Sequence, residues 1–449
     1  MIEKISRKTK LGFGAGEFSS SIFFTLTSFW LLNFLTDEVR LSAALAGSAL
    51  LVGKIWDAAI DPFIGYLSDH TRSRWGRRRP YILFFTIPFG IAFVLMFRNP
   101  GIASQPGKFW WAMLTYIFFC TVYSFTNIPY NSILPEISKD YNERTNISGY
   151  KQAFAVIGTI LGAGAALPIM ALFGSRTAGY VGMAAVFGFL TILSLLATFF
   201  SVREPKLLEQ PRGESIPRSL KDVFTNKPFV LLLTAWFTNS TAVAIMEAML
   251  IYYYKYIFRA EGSVTMAMII LLVVTIATIP FWVWFARKVS KKVAYVIGMA
   301  LTALAVILFA FTADRLGQTF ALVYMVLAGF GFSSHYVLPW SMAPDTIEYG
   351  YSRTGVRREG VYYSVWTFMI ATGGAFAGFL VGQSLGLFGY VPDSVQSASS
   401  ILSMRLLIGP MPALLILLGN LALIFYPLNQ KRYEQVQAAV REMEAQKHA

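Results

Sequence analysis

Asp57 and Asp61 stand four residues apart in KIWDAAIDPFIG, with Lys54 three residues ahead of the first. Side chains at that spacing stack along one face of a helix. Two carboxylates so placed repel each other unless a proton or a cation comes between them. Their oxygens suit a hard monovalent cation such as Na⁺, and a shared proton would serve the same end. The neighbouring stretches LSAALAGSALLVG and PYILFFTIPFGIAF are apolar. The pair is therefore expected at membrane depth, where each ionised side chain costs about 2.5–3.5 kcal/mol on insertion scales. Ser124 and Asn127, in YSFTNIPYNS, offer neutral oxygens to complete a coupling-ion site with Asp57 and Asp61. The bland alternative is a buried Lys54–Asp57 ion pair beside a protonated, inert Asp61.

Few other charges fall at depth: Glu17 in a first helix and Glu247 in a seventh. GYLSDHTRSRWGRRRP differs in kind, because Asp69 and the arginines of 72–79 fall at a helix end where charge is hydrated. Asp69 with Arg77 and Arg78 reads as a salt-bridged cytoplasmic latch between helices. Asp345, Glu348, Arg353, Arg357, Arg358 and Glu359 read as its counterpart in the second half. The competing account is charge that only sets topology.

The elements that must position these residues follow from composition. Of 449 residues, 55% are hydrophobic and 14% charged, against about 25% charged in ordinary globular domains. Apolar runs of membrane-spanning length predict helices near 11–36, 41–68, 80–98, 108–137, 145–173 and 178–201, and again near 228–257, 263–286, 292–312, 317–345, 357–387 and 403–427. The fold class is an all-α integral membrane protein of two six-helix bundles, 1–201 and 228–427. A polar central loop (202–227) joins them, and a tail (428–449) ends in a short solvated helix. Lys and Arg number 29 at the N-terminus, even-numbered loops and tail, against 8 on the other side, with Lys54 the last of the 38. That bias places both termini in the cytoplasm. It also accounts for the net charge of +14 without a nucleic-acid partner. The expected setting is a multi-pass protein of the plasma membrane (inner membrane in a bacterium), a monomer whose partners are a small-molecule substrate and the bilayer.

The halves repeat. DPFIGYLSDHTRSRWGRRRPY (61–81) is echoed by IPFWVWFARKVSKKVAY (279–295), and NIPYNSILPEISKDYNERT (127–145) by VLPWSMAPDTIEYGYSRT (337–354). Two equivalent bundles with a midplane site are a transporter architecture. The polar, basic start MIEKISRKTK predicts no cleavable leader. Cys120, the single cysteine, forms no intrachain disulfide, and three histidines show no zinc spacing. GFGAGEF opens a membrane helix with no strand before it, which argues for packing over nucleotide binding. Gly158–Gly162 and Gly374–Gly378–Gly382 predict close helix seams. The aromatics of YYYKYIF (252–258) predict an interfacial belt. No catalytic triad or Walker motif is present, so neither an enzyme nor a cofactor is expected.

KLGFGAGEF, KIWDAAIDPFIGYLSDHTRSRWGRRRPY, NIPYNSILPEISKDYNERT and PDTIEYGYSRTGVRREGVYYSVWTF resemble the glycoside–pentoside–hexuronide:cation symporters of the major facilitator superfamily, of which the melibiose permease is the best-known member. The resemblance implies twelve helices, Na⁺ or H⁺ coupling and alternating access. It places Asp57 and Asp61 on the family's cation carboxylates, Ser124 on a helix-four hydroxyl ligand and Lys54 on a basic residue. At the sugar end this chain departs from the permease. Ser21 stands where a helix-one aspartate grips sugar hydroxyls, with Glu17 one turn away to substitute. Asn127 and Asn131 replace a helix-four aspartate and tryptophan. Gln152 replaces a helix-five arginine, beside Lys151. A helix-eleven lysine falls on Ala371, next to Thr372, while Tyr123 and the aromatic Tyr336 persist. These departures argue against a galactoside and leave another glycoside, a pentoside, or a uronide held by Lys151. The implied function is cation-coupled symport of a sugar-like solute. The alternative is a lysophospholipid or other amphiphile, since the family also resembles a vertebrate lysophospholipid symporter with an acidic residue on helix seven, here Glu247.

Overall fold

The computed structural model describes residues 5–137, 141–204, 216–356 and 359–448, with no strand among them. Its helices are α1 (Arg7–Thr25), α2 (Ala43–His70), α3 (Arg79–Met96), α4 (Gln105–Ile137), α5 (Tyr141–Gly164), the short α6 (Ala166–Met170), α7 (Arg176–Ser201), α8 (Ile216–Thr225), α9 (Lys227–Tyr252), α10 (Val264–Ala277), α11 (Ile279–Lys288), α12 (Lys291–Leu316), α13 (Gln318–Thr354), α14 (Glu359–Leu387), α15 (Ala398–Ile408), α16 (Pro410–Ile424) and α17 (Gln430–His448). Among the described residues nine helical segments are long and apolar enough to cross a membrane. A tenth is α10 with α11, bent by 42°. The other two expected spans are α1 and α5. Lys8, Lys10 and Glu17 dilute the apolar run of the first, and Lys151 and Gln152 that of the second.

The helix starts are written locally. Ser6, Ser175, Asn226 and Ser290 cap α1, α7, α9 and α12 by accepting a backbone N–H three residues on. Prolines fill the first turns of α3, α9, α11 and α16, where no N–H is needed. Two helices run on into π-helical turns: α1 through Leu26–Leu31 and Phe34–Glu38, and α9 through Tyr253–Ile257. The wider turn changes which side chains face inward. Tyr252, Tyr253 and Tyr254 are fully buried, and the Tyr253 hydroxyl donates to the Phe309 carbonyl at 2.9 Å. These tyrosines are core, not the interfacial belt that YYYKYIF suggested. The central loop contains α8, which the apolar runs did not reveal. The tail helix α17 is also less solvated than expected, since Tyr433 donates to Glu348 Oε2 at 2.6 Å.

By compactness the chain divides into two units: residues 1–210 with 378–400, and 211–377 with 401–449. In the first, α1 packs on α5 and α7, α2 on α4, and α3 on α4 and α7. The last part of α14 and the loop after it also belong here. Arg40 bonds the Pro392 carbonyl and the Asp393 carboxylate, Tyr390 bonds Asp37, and Gln383 donates to the Ala44 carbonyl at 3.1 Å. In the second unit α12 packs on α13 and α16, α9 on α16, and α13 on α10 and α17.

Close backbone approach drives the packing in both. A Cβ on Gly188 would lie 2.7 Å from the Gly90 carbonyl oxygen, and one on Gly331 would lie 2.5 Å from that of Gly298. Gly158 and Gly162 meet Ser21 and Thr25 in the same manner, as their spacing predicted. The second seam is shorter than expected, because a Cβ on Gly374 meets nothing within 4 Å. Gly331→Val should therefore cost about 1–3 kcal/mol, the range for overpacking a close-packed interior. Gly374→Ala should be neutral or slightly stabilising, because alanine is the better helix former. Thermal unfolding of both variants in one detergent checks this, and equal losses would contradict the seam assignment.

Candidate functional site

Of the candidate residues, Asp57 is the most fully partnered. Lys54 Nζ lies 3.0 Å from its Oδ2, and Ser124 Oγ, on α4, donates to its Oδ1 at 2.8 Å. The carboxylate is buried, at 6% exposure. The Lys54 ammonium also lies over the rings of Phe23 and Phe24, 5.1 and 5.6 Å from their centroids. Lysine, aspartate, serine and two aromatic faces thus make one neutral knot between α1, α2 and α4. Asp61 follows one turn along α2. Its Oδ1 is buried without a hydrogen-bond partner among the described residues, an expensive state for a carboxylate oxygen.

A second network runs beside the first. Lys151 Nζ, on α5, lies 3.2 Å from Glu17 Oε2 on α1 and donates to Asn131 Oδ1 at 2.6 Å. Asn131 Nδ2 donates to Asn127 Oδ1 at 2.8 Å, and Asn127 Nδ2 to Ser20 Oγ at 2.6 Å. The chain Glu17–Lys151–Asn131–Asn127–Ser20 therefore links α1, α4 and α5. Asn127, expected among the cation ligands, spends its amide here. Ser20 is a member that sequence reasoning missed, although it stands three residues from Glu17 on the same helix. Ser21 instead packs in the α1–α5 seam against Gly158. Tyr123 is buried and stacks on Phe23, with centroids 4.1 Å apart and planes at 2°. Both are scaffold around the networks. Gln152 is exposed. Tyr336 and Thr372 lie in the second unit, where Thr372 donates to the carbonyl of Phe368 at 2.8 Å.

Carboxylates brace the helix ends where the expected latch charges fall. Glu204 accepts the backbone N–H groups of Arg77, Arg78 and Arg79 at 2.6–2.9 Å, capping α3 from the end of α7. Asp345 pairs with Lys291 of α12 at 2.6 Å. Arg353 is exposed and lies over the Tyr349 ring. Burial, with the Glu348 hydrogen bond and the charges of Asp345 and Glu348, raises the Tyr433 phenol above its ordinary range. The side chains of Asp69 and Glu359, and all of Arg357 and Arg358, lie outside the described residues.

The family pattern described as MFS/sugar transport protein matches residues 12–430. The chain belongs to that family. It is similar to the glucuronide carrier protein homolog of Escherichia coli, 30% identical over 97% of this chain and 96% of that one. It is also similar to the isoprimeverose transporter of Lactiplantibacillus pentosus, 28% identical over 94% and 88%. Among solved structures, a bacterial homolog of the human lysosomal transporter Spinster aligns with a TM-score of 0.65 at 14% identity, covering 93% of this chain and 96% of that one. The nucleoside transporter NupG gives 0.64 at 13%, covering 93% and 100%. At those identities the likeness is one of fold. This member of the MFS sugar-transport family is thus a major facilitator protein of the glycoside–pentoside–hexuronide:cation symporter type. It is a multi-pass inner-membrane transporter and not an enzyme.

The Lys54 knot makes a prediction about stability. Lys54→Met leaves two buried carboxylates without their countercharge and should cost about 3–5 kcal/mol, the range for breaking a buried pair. The double variant Lys54→Met with Asp57→Asn should recover most of that loss. A double-mutant cycle read by thermal unfolding measures it; simple additivity would show that Lys54 and Asp57 are not coupled.

Proposed function

We propose that this protein is a cation-coupled symporter of a sugar-like solute, working by alternating access through twelve spans with both termini in the cytoplasm. The observation that carries the reading is the unpartnered Asp61 oxygen one turn from a neutralised Asp57. Lys54, Asp57 and an ionised Asp61 sum to one negative charge. One Na⁺ or one proton brings the cluster to neutrality, which favours a single coupling ion per cycle in a medium that penalises net charge. Ser124 is the neutral oxygen held ready beside it, by its bond to Asp57.

The Glu17–Lys151–Asn131–Asn127–Ser20 chain is the solute end. Its amides and the lysine bond one another while the buried Glu17 Oε2 accepts no hydrogen bond among the described residues, so a solute that enters can exchange some of these bonds and supply a donor to Glu17. A polyhydroxy ring does this well, since each hydroxyl both donates and accepts. Asn127 lies one turn from Ser124 on α4, so a solute that draws on the asparagine pulls on the helix that carries the cation oxygen. The names of the two curated relatives, one for glucuronides and one for isoprimeverose, support a panel of glucuronides, xylosides and glucosides ahead of the lipid alternative. Lys151 is the group to meet a uronide carboxylate.

Asp57→Asn and Asp61→Asn should each abolish ion-driven accumulation in proteoliposomes while the protein stays folded. Counterflow with the panel, run with and without Na⁺, supplies the substrate and the ion. Full accumulation by both variants would remove the proposed site. Glu17→Gln should weaken solute binding by roughly 1–3 kcal/mol, as expected when one buried charged partner is impaired, and leave ion binding without solute nearly unchanged. Calorimetric titration with unaltered solute affinity would take Glu17 out of the solute end.

A further inference from the structure

The short loop between α2 and α3 carries arginines that neither the cation cluster nor the Glu17 chain uses. It is tightly folded. Ser73 Oγ donates to the Gly76 carbonyl at 2.7 Å and accepts the Trp75 N–H at 3.1 Å, and Gly76 takes a φ of +106°. A Cβ on Gly76 would lie 2.7 Å from the carboxylate carbon of Glu204, so glycine lets the turn close on that group. Glu204 spends both oxygens on the backbone N–H groups of Arg77, Arg78 and Arg79. Two rings then carry a guanidinium each. Arg74 Cζ lies 4.4 Å from the Trp75 centroid and Arg79 Cζ 4.5 Å from that of Phe199, and the two rings meet edge to face at 6.4 Å and 80°. Arg79 donates to the carbonyls of Phe199 at 2.7 Å and Trp75 at 3.3 Å, while its Nε is buried with no partner among the described residues. Arg203, beside Glu204, is near enough for its charge to bear on Arg79. Arg74 and Arg203 are exposed, and neither meets a carboxylate among the described residues.

An apolar surface runs away from this loop. Trp75 also meets Phe84 at 5.9 Å and 61°. Phe84, Ile87 and Ile91 on α3 are exposed, as are Phe189, Leu193 and Phe200 on α7. Their spacing of three, four or seven residues keeps each set on one side of its helix. The two helices pack on each other through Gly90 and Gly188. Adjacent apolar stripes that end in an indole and in arginines lacking a carboxylate have the make-up of a lipid site, acyl chain along the helices and acidic headgroup at their end. Charge that only set topology would need neither the folded turn nor the rings under the guanidinium groups.

We propose that this end of the first unit binds an anionic phospholipid. Arg74 and Arg203 hold the phosphodiester, because a guanidinium fork matches phosphate oxygens. Trp75 sits at the level of the glycerol, and an acyl chain lies along Phe84 and Phe200. A zwitterionic lipid carries its own cation to the same place and so gains less from the arginines. The bound lipid ties the α2–α3 loop to the end of α7, the joint that Glu204 closes. The site is the same whichever solute is carried.

The test uses the full chain in phosphatidylcholine nanodiscs, titrated with phosphatidylglycerol or phosphatidylcholine whose brominated acyl chains quench indole emission. The difference between wild type and Trp75→Phe isolates the quenching at the site. There phosphatidylglycerol should be preferred about tenfold, and Arg74→Gln and Arg203→Gln should each lower the preference about three- to fivefold, the effect of one basic side chain near an acidic membrane surface. Lys288→Gln, which removes an exposed charge from α11, should leave the preference unchanged. Inorganic phosphate, compared with chloride at equal ionic strength, should not compete. Equal quenching of Trp75 by the two lipids would overturn the site. So would a preference that survives both arginine variants, or one that Lys288→Gln lowers as far, since the arginines would then act only as general surface charge. Competition by inorganic phosphate would overturn the lipid as occupant. If Trp75→Phe does not fold, native mass spectrometry of the wild type and the double variant Arg74→Gln with Arg203→Gln decides, and equal retention of phosphatidylglycerol would overturn the site.

Discussion

Charge balance in an apolar medium is the constraint on which the first unit is built. Lys54 sits where an unpaired ammonium would be costly, and the structure surrounds it with Asp57 and two aromatic faces. Ser124 takes the carboxylate oxygen that the lysine leaves open. After those bonds are made one turn of α2 still carries a carboxylate, and its buried oxygen has no partner among the described residues. Two charges are settled against each other and the third, Asp61, is not, which is the opening that the proposed coupling ion would fill. Apolar residues of similar volume would serve stability as well or better than such a cluster, so stability alone does not account for it.

Helix α4 ties this cluster to the polar chain next to it. Ser124, Asn127 and Asn131 follow at intervals of three and four, so one face of one helix touches the aspartate on α2, Ser20 on α1 and Lys151 on α5. That face is held firm from behind. Tyr123 stacks on Phe23, which also meets Phe89 and Phe119. The Tyr130 hydroxyl donates to the Phe13 carbonyl at 2.8 Å. A rigid aromatic backing lets a small change at Asn127 be felt at Ser124 in place of being absorbed by soft packing. On the proposed reading, this is where solute and ion would communicate.

The two units solve similar problems with different chemistry. Each brings helices into contact through paired glycines, Gly90 with Gly188 and Gly298 with Gly331. Each also braces helix ends with a carboxylate: Glu204 across the first turn of α3, and Asp345 against Lys291, with Glu348 engaging Tyr433 nearby. The interiors then diverge. The first unit joins the Lys54–Asp57 pair to a chain of amides through Phe23 and Tyr123, and the second stacks Trp236 between His335 and Trp366.

Much of this was legible in the amino-acid order alone. Hydropathy runs marked the spans because a bilayer demands about twenty apolar residues whatever the partners. The i, i+4 spacing put Asp57 and Asp61 on one face, and the Lys54–Asp57 pair is local enough to read from three residues. Motifs such as KIWDAAIDPFIGYLSDHTRSRWGRRRPY carried the family. Partnership across the chain was decided only by the tertiary structure. Ser124 meets Asp57 from 67 residues away, Glu204 meets Arg77 from 127, and Lys291 meets Asp345 from 54. Charge patterning marks which helix ends carry charge and leaves the partner helix open, so Lys291 was not among the groups expected beside Asp345. The YYYKYIF tyrosines were misplaced for a related reason. A π-helical turn shifts the phase of a helix, and no count of apolar residues at 3.6 per turn registers the shift. Local order set which groups were present at membrane depth; contacts between helices settled which of them were neutralised and which kept a buried oxygen without a partner among the described residues.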